Sequence, residues 1–264
     1  MGVAGTAGRI IAVANQKGGV GKATTAVNLA ACLAAADQRT LLIDLDPQAN
    51  ATSGVGGGRE PVTIGIYQVL MGHAKASEAI RATDLPGLSL LPATPDLVGS
   101  EVEMVPMPGR EARLRAALAE VADAYAFLLI DTPPSLGLLT LNALAAARSI
   151  LIPLQCEYFA LEGLTQLLRA VELVRQRLNP ALEVEGLLLT MVDGRLNLTA
   201  QVVEDVRQHF PGRVFATTIP RNVRLSEAPS FGKPEILYDI RCAGAVAYLA
   251  LAREVIAHAE KGAR

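Results

Sequence analysis

Short apolar runs alternate with longer Ala- and Leu-rich stretches along most of the chain. The runs at 9–14 (RIIAVA), 39–45 (RTLLIDL), 88–93 (LSLLPA), 126–131 (AFLLID), 149–154 (SILIPL), 183–192 (EVEGLLLTMV) and 213–220 (RVFATTIP) are continuously apolar. Such runs suit parallel strands covered on both faces, whereas a half-exposed strand would alternate. Stretches 22–36, 110–124, 137–147, 162–178, 199–209 and 243–260 carry helical patterns. This alternation predicts an α/β fold: a doubly wound, mostly parallel sheet with helices on both faces and right-handed crossovers. Gly-rich 54–61 and Pro-rich 105–109 read as loops too short to link domains, and no internal repeat is visible. A single domain over 1–264 is expected, with 1–8 a loose end.

In sheets of this kind ligands gather beyond the carboxyl ends of the strands. The first run leads into NQKGGVGKATT (15–25), the second into DLDPQ and the fourth into DTPPS, which together outline one crevice. Gly18, Gly19 and Gly21 let the backbone turn tightly and aim several N–H groups at one point, and a helix opening near Lys22 adds its positive end. Lys22 can then reach the β- and γ-phosphates of a nucleotide. A glycine cluster between strand and helix is the context a phosphate loop requires, so Gly18, Gly19, Val20, Gly21, Lys22, Ala23 and Thr24 form the expected nucleotide-binding loop.

Ala23 departs from that pattern, which places a Ser or Thr hydroxyl on Mg²⁺. Thr24 and Thr25 do not replace it, because each helical step turns the side chain by about 100°. Mg²⁺ keeps several waters and leans on the substrate phosphates, so a water can fill the gap. The lost group costs about 1–3 kcal/mol. Nucleotide binding is expected to survive and hydrolysis to be impaired, whether the alanine is natural or introduced. Asp44 and Asp46 project to one side of an extended strand end. Asp131 follows four apolar residues, as does the Mg²⁺-associated carboxylate of phosphate-loop ATPases. Asp44 and Asp131 are thus the expected metal set, mainly through water; a turn or cap aspartate is the plainer alternative for Asp44. Thr132 and the prolines after it read as a switch-like turn.

KGGVGK, with a lysine at each end, resembles the deviant loop of the ParA/MinD/nitrogenase-iron-protein ATPases. TMVDGRLN (190–197) and TIPRNVRLSEAPSFGKP (218–234) resemble the ParA/Soj branch, which segregates chromosomes and plasmids, and the match runs from about 9 to 255. The resemblance implies ATP and ADP with Mg²⁺ as cofactors. It implies that Lys17 reaches a partner subunit's nucleotide and that Asp46 positions the attacking water, so Lys17, Lys22 and Asp46 are the expected catalytic set. Met191, Pro220 and Asn222 fall where the adenine is held, with a buried strand-end Met and Pro as the bland alternative. Arg195 and Arg224 match DNA-contacting positions and, with Arg241, form the expected DNA-binding set. Solvation, or pairing with Glu227 or Asp239, is the alternative for these arginines. The implied partners are a second copy in a homodimer formed on ATP binding, non-specific double-stranded DNA, and a ParB-type centromere-binding protein.

Composition trims this picture. A net charge of −2 excludes a globally basic nucleic-acid binder, so any DNA contact must be a local patch that dimerisation doubles. Cys32, Cys156 and Cys242 lack metal spacing and suit a reduced, cytoplasmic protein, and the ParA/Soj resemblance implies that it is nucleoid-associated. An iron–sulfur reductase would need paired cysteines at the crevice, and Cys32 falls inside a predicted helix. No apolar run approaches the ~20 residues that span a bilayer, no signal-peptide pattern is present, and the MGxxxT start reads as a loose end despite fitting a myristoylation pattern. Two other readings remain. A MinD-like membrane switch would call for a basic amphipathic C-terminal helix. The tail 247–264 is Ala-rich, with Arg253, Lys261, Arg264 and only Tyr248 as an aromatic anchor, so no stable membrane association is expected. A non-hydrolysing nucleotide-dependent binding module would make Ala23 a natural loss of catalysis.

Overall fold

The computed structural model describes residues 8–58, 61–157 and 160–262. The expected loose end, its MGxxxT pattern, part of the 54–61 loop and Arg264 lie outside the described residues. The chain opens with β1 (Arg9–Val13), α1 (Lys22–Ala35), β2 (Thr40–Asp44) and α2 (Asn50–Gly54). There follow α3 (Ile66–Met71), α4 (Ala76–Ala79), β3 (Arg81–Ala82), β4 (Leu88–Leu91) and α5 (Leu97–Met104). The middle holds α6 (Arg113–Leu118), β5 (Phe127–Asp131), α7 (Leu138–Ala146), β6 (Ser149–Gln155), α8 (Ala160–Arg177) and β7 (Glu183–Thr190). Last come α9 (Asn197–His209), α10 (Val223–Glu227), α11 (Glu235–Tyr238) and α12 (Ala243–Gly262).

The strands form one sheet in the order β3-β4-β2-β5-β1-β6-β7, parallel except for the two-residue edge strand β3. β2 and β5 are buried at all five positions, as continuous apolar runs require when both faces are covered. Alternate residues feed two cores. Leu128 and Ile130 pack with Leu97, Leu114, Leu144 and Leu167, while Phe127 and Leu129 pack with Leu29, Leu33, Tyr248 and Leu251. One face is therefore roofed by α5 to α9 and the other by α1 and α12. α1 forms readily because its Ala-rich sequence loses little side-chain entropy on becoming helical.

Two expected elements differ. Stretch 110–124 is a 3-10 turn, the short α6 and a second 3-10 turn rather than one helix. Asn142 of α7 fixes the first turn by accepting from Leu114 N at 3.1 Å and donating to the Arg110 carbonyl at 2.7 Å. Stretch 213–220 makes only isolated parallel bridges, at Val214 and Pro220. Between them Ala216 N and Thr217 N donate to the Glu254 carboxylate of α12, at 2.7 and 3.1 Å, and leave the ladder.

Candidate functional site

β1, β2 and β5 are adjacent, so the three polar strand ends converge. Asp131 pairs in register with Val13 on one side and with Asp44 on the other. Beyond them opens a cleft of about 390 Å³ lined by the glycine loop, Lys22, Asp46, Asp131 and Met191.

The loop after β1 is held from below. Asn15 accepts from Lys17 N at 3.0 Å and donates to the Pro153 carbonyl at 2.7 Å, and Thr190 Oγ1 donates to the Val20 carbonyl at 3.0 Å. Gly19 and Gly21 have φ of 75° and 85°, a region that side chains disfavour. No heavy atom lies within 4 Å of where a Cβ would stand on Gly18, Gly19 or Gly21, so the loop leaves an open cradle. Gly21 is followed directly by α1, whose first turn has unsatisfied N–H groups and a partial positive charge. Lys22 folds back to donate to the Lys17 carbonyl at 3.0 Å. Its ammonium is pulled below the usual lysine value by burial, against the pull of Asp131 and Asp46. Lys17, half exposed, pairs with Glu157 of its own chain.

Asp131 is fully buried, and neither carboxylate oxygen has a hydrogen-bond partner. Burial pushes its carboxyl well above the usual range, and Asp44 and Asp46 add to the push. Lys22 and the neighbouring Thr132 backbone N–H, too poorly aligned for a full hydrogen bond, oppose it. A buried carboxylate without donors is costly unless a cation answers it. With all three carboxylates ionised, the state a bound cation favours, Asp44, Asp46 and Asp131 against Lys22 leave two negative charges in the buried cluster. A divalent cation matches that charge, and oxygen donors are the kind Mg²⁺ takes.

Asp44 behaves differently from its expected metal role. Its Oδ2 accepts from Thr52 N at 2.6 Å and Thr52 Oγ1 at 2.7 Å, and its Oδ1 accepts from Asp46 N at 3.2 Å. Burial raises its carboxyl to about 6 against those bonds. It is absent from the cleft lining and braces α2 from behind. Asp46 does line the cleft, with Oδ1 accepting from Gln48 N at 3.0 Å. Thr132 Oγ1 donates to the Val13 carbonyl at 3.0 Å.

Ala23 and Thr24 both line the cleft, while the Thr25 hydroxyl is turned away to Tyr248 Oη at 3.2 Å. Met191 lines the cleft with φ 53°, a strained value for a non-glycine residue. Pro220 and Asn222 are not among the lining residues. Pro220 bridges Val192, and Asn222 caps α10 by accepting from Arg224 N at 2.8 Å.

The expected DNA-binding arginines are all exposed. Arg195 pairs with Asp193 at 2.6 Å, and Arg224 pairs with Glu227 at 3.0 Å and approaches Asp239 at 3.9 Å. Arg241 donates its backbone N–H to Asp239 at 3.2 Å. Sequence reasoning missed Asn28, Gln48, Asn50, Ser53, Pro229 and Lys233, which complete the cleft wall. Three of them carried a signal: Gln48 in the DLDPQ strand end, and Pro229 and Lys233 in the 218–234 run.

A family described as "AAA domain" matches residues 8–184. The chain is 59% identical over 251 residues to the chromosome partitioning protein ParA of Myxococcus xanthus, covering 95% of this chain and 89% of that protein. It is 56% identical over 251 residues to the sporulation initiation inhibitor protein Soj of Bacillus subtilis, covering 95% and 99%. Among solved structures, a cobyrinic acid a,c-diamide synthase from Mycobacterium smegmatis with bound ADP and magnesium matches with a TM-score of 0.85 and 38% identity, covering 97% of this chain and 96% of that one.

Proposed function

The chain belongs to the ParA/Soj family of chromosome-partitioning ATPases, and from that premise we propose that it is an ATP-gated dimer that grips DNA. Identities of 59% and 56% to partition proteins against 38% to the diamide synthase favour partition over ligand amidation. The whole chain acts as one domain around one sheet. ATP lies in the cleft at the carboxyl ends of β1, β2 and β5, with its phosphates on the N–H groups of Gly18 to Thr24 and on Lys22. The single observation that carries this reading is Asp131, a buried carboxylate left without any donor at the floor of a glycine-lined cradle.

Mg²⁺ supplies charge neutralisation of the phosphates when bound. Asp131 takes the metal side through water, Asp44 keeps Asp46 and α2 in place, and Asp46 orients the attacking water. Ala23 offers no hydroxyl, so the metal is held less firmly and turnover is slow. Lys17 leaves Glu157 to meet the nucleotide of a second subunit, which makes the triphosphate part of the interface. Met191 lines the adenine side of the cleft, and Pro220 and Asn222, which do not line it here, are assigned to that side with it. In the dimer Arg195, Arg224 and Arg241 are doubled, and avidity turns weak phosphate contacts into retention. A ParB-type partner then stimulates hydrolysis and resets the cycle on the nucleoid.

The MinD-like alternative gains no support from the last helix. α12 spends its apolar residues Tyr248, Leu251 and Val255 on the core beneath it. Sedimentation with a non-hydrolysable ATP analogue and Mg²⁺, on the chain and on Ala23→Thr, tests the reading. A dimer that retains double-stranded DNA, with retention falling steeply in salt, is expected. Two copies that never associate, even with Thr at position 23, would sink it.

A further inference from the structure

Asn28 lies two turns into α1, 4% exposed, and lines the cleft together with Thr24 and Lys233. Its amide is used at both ends. Nδ2 donates to the Thr24 carbonyl at 2.9 Å, inside the first turns of the phosphate-loop helix. Oδ1 accepts from Glu235 N at 2.7 Å, across 207 residues of sequence.

That second bond supplies a missing cap. Glu235 opens α11, and the preceding Pro234 has no side-chain acceptor to satisfy the free N–H. A one-turn helix has little stability of its own, so α11 leans on its packing through Ile236 and on the acceptor that α1 supplies to Glu235 N. What α11 holds is the arginine face. Tyr238 stacks on Phe231 at 5.1 Å, lies 5.9 Å beneath the Arg224 guanidinium, and donates to Glu227 at 3.2 Å. Asp239, at the end of α11, approaches Arg224 and accepts from Arg241 N.

We propose that Asn28 is a positioning residue that ties the order of α11, and with it the Arg224 and Arg241 face, to occupation of the cleft. A ligand that steadies the first turns of α1 steadies the Thr24 carbonyl, hence the Asn28 amide, hence the cap on α11. The proposal rests on the cleft being the nucleotide site and explains how DNA binding would come to depend on ATP.

Backbone hydrogen exchange of residues 235–248 tests it, with and without AMPPNP and Mg²⁺. In the unaltered chain, nucleotide is expected to slow exchange there by about fivefold or more, the signature of a segment ordered by ligand. In Asn28→Ala the nucleotide, still detected in the cleft by a fluorescent analogue, is expected to slow it by less than about twofold. Tyr248→Phe removes the neighbouring bond between α1 and α12 and is the structural control, expected to keep the full nucleotide effect. Equal loss in both variants would reduce Asn28 to a packing residue, and retained coupling in Asn28→Ala would overturn the proposal outright. So would an unaltered chain whose 235–248 segment ignores bound nucleotide. If Asn28→Ala does not fold, Asn28→Asp, which keeps the shape and loses the donor to Thr24, carries the same expectation. A chain that shows the coupling yet fails to retain DNA would sink the DNA reading and leave this one standing.

Discussion

The two ends of the sheet each carry a cleft, and they differ in how their charges are answered. At the amino ends of the strands lies the larger, about 860 Å³, lined by Arg9, Arg148, Glu183 and His258. Its charges are largely matched: Arg9 meets Glu185 Oε2 at 2.7 Å, Ser149 adds a hydrogen bond to the same oxygen, and Arg148 meets Glu183 at 3.1 Å. Glu185 Oε1 has no hydrogen-bond partner among the described residues, with His258 Nδ1 nearby at 3.6 Å. At the carboxyl ends the cleft is less than half that volume, yet Asp131 is buried with no well-aligned hydrogen-bond donor and Lys22 is buried near two carboxylates, Asp131 and Asp46. Volume does not mark the functional end. Buried charge that the protein leaves unanswered does, because a fold tolerates that cost only where something else answers it.

The largest effect expected from this contrast is on nucleotide affinity. Lys22→Gln removes a buried charge from the phosphates and is expected to weaken binding by about a hundred-fold to several thousand-fold, at about 3–5 kcal/mol for a broken buried pair. Arg148→Gln, at the other end, is expected to change it by less than about twofold. Isothermal titration with an ATP analogue checks both.

Stability separates the ends by sign. Glu185→Gln strands the partly exposed Arg9 and is expected to cost about 1–3 kcal/mol. Asp131→Asn relieves an unanswered carboxyl and is expected to raise the stability of the nucleotide-free chain by about 1–3 kcal/mol. Urea unfolding without nucleotide measures both, and a loss at Asp131 would break the comparison.

Ala23→Thr restores the usual hydroxyl and is expected to tighten Mg²⁺-dependent nucleotide binding about tenfold to a hundredfold, equivalent to the 1–3 kcal/mol of a buried hydrogen-bonding group. Competition with a fluorescent nucleotide at graded Mg²⁺ reads it.

The smallest effect is on pH. Asp131 is raised well above the usual carboxylate range and Asp44 to about 6, so the folded chain holds protons that the unfolded chain has released. Stability of the nucleotide-free protein therefore falls as pH rises from about 4, the unfolded value, through the folded value of about 6 for Asp44. For Asp131 the fall continues further. Asp131→Asn is expected to flatten the upper part of that decline, seen in unfolding midpoints taken from acid to neutral pH.

Much of this was legible in the sequence because its signals are local. The glycine loop, Lys22 and Asp131 each announce themselves within a few residues of a strand end, and strand order then brings them together. The longer helices and six of the seven long apolar runs also form where the pattern puts them. What was hidden depends on distant partners. That Asp44 also braces α2 was hidden, because its partner Thr52 lies in a helix of five residues too short to show a period. Asn28 reads as one polar residue in an apolar helix until Glu235 N reaches it. The run 213–220 has strand composition, but Glu254 captures two of its amides. The one-turn α11 takes its cap from this distant partner, so composition alone does not reveal it.

The central claim is that Asp131 is left unanswered because a divalent cation carried with the nucleotide answers it. Calorimetric titration of a non-hydrolysable ATP analogue, with and without Mg²⁺, into the unaltered chain and Asp131→Asn tests it most directly. The account expects Mg²⁺ to strengthen binding about tenfold or more in the unaltered chain and to lose most of that effect in Asp131→Asn. An equal Mg²⁺ effect in the two proteins would contradict it.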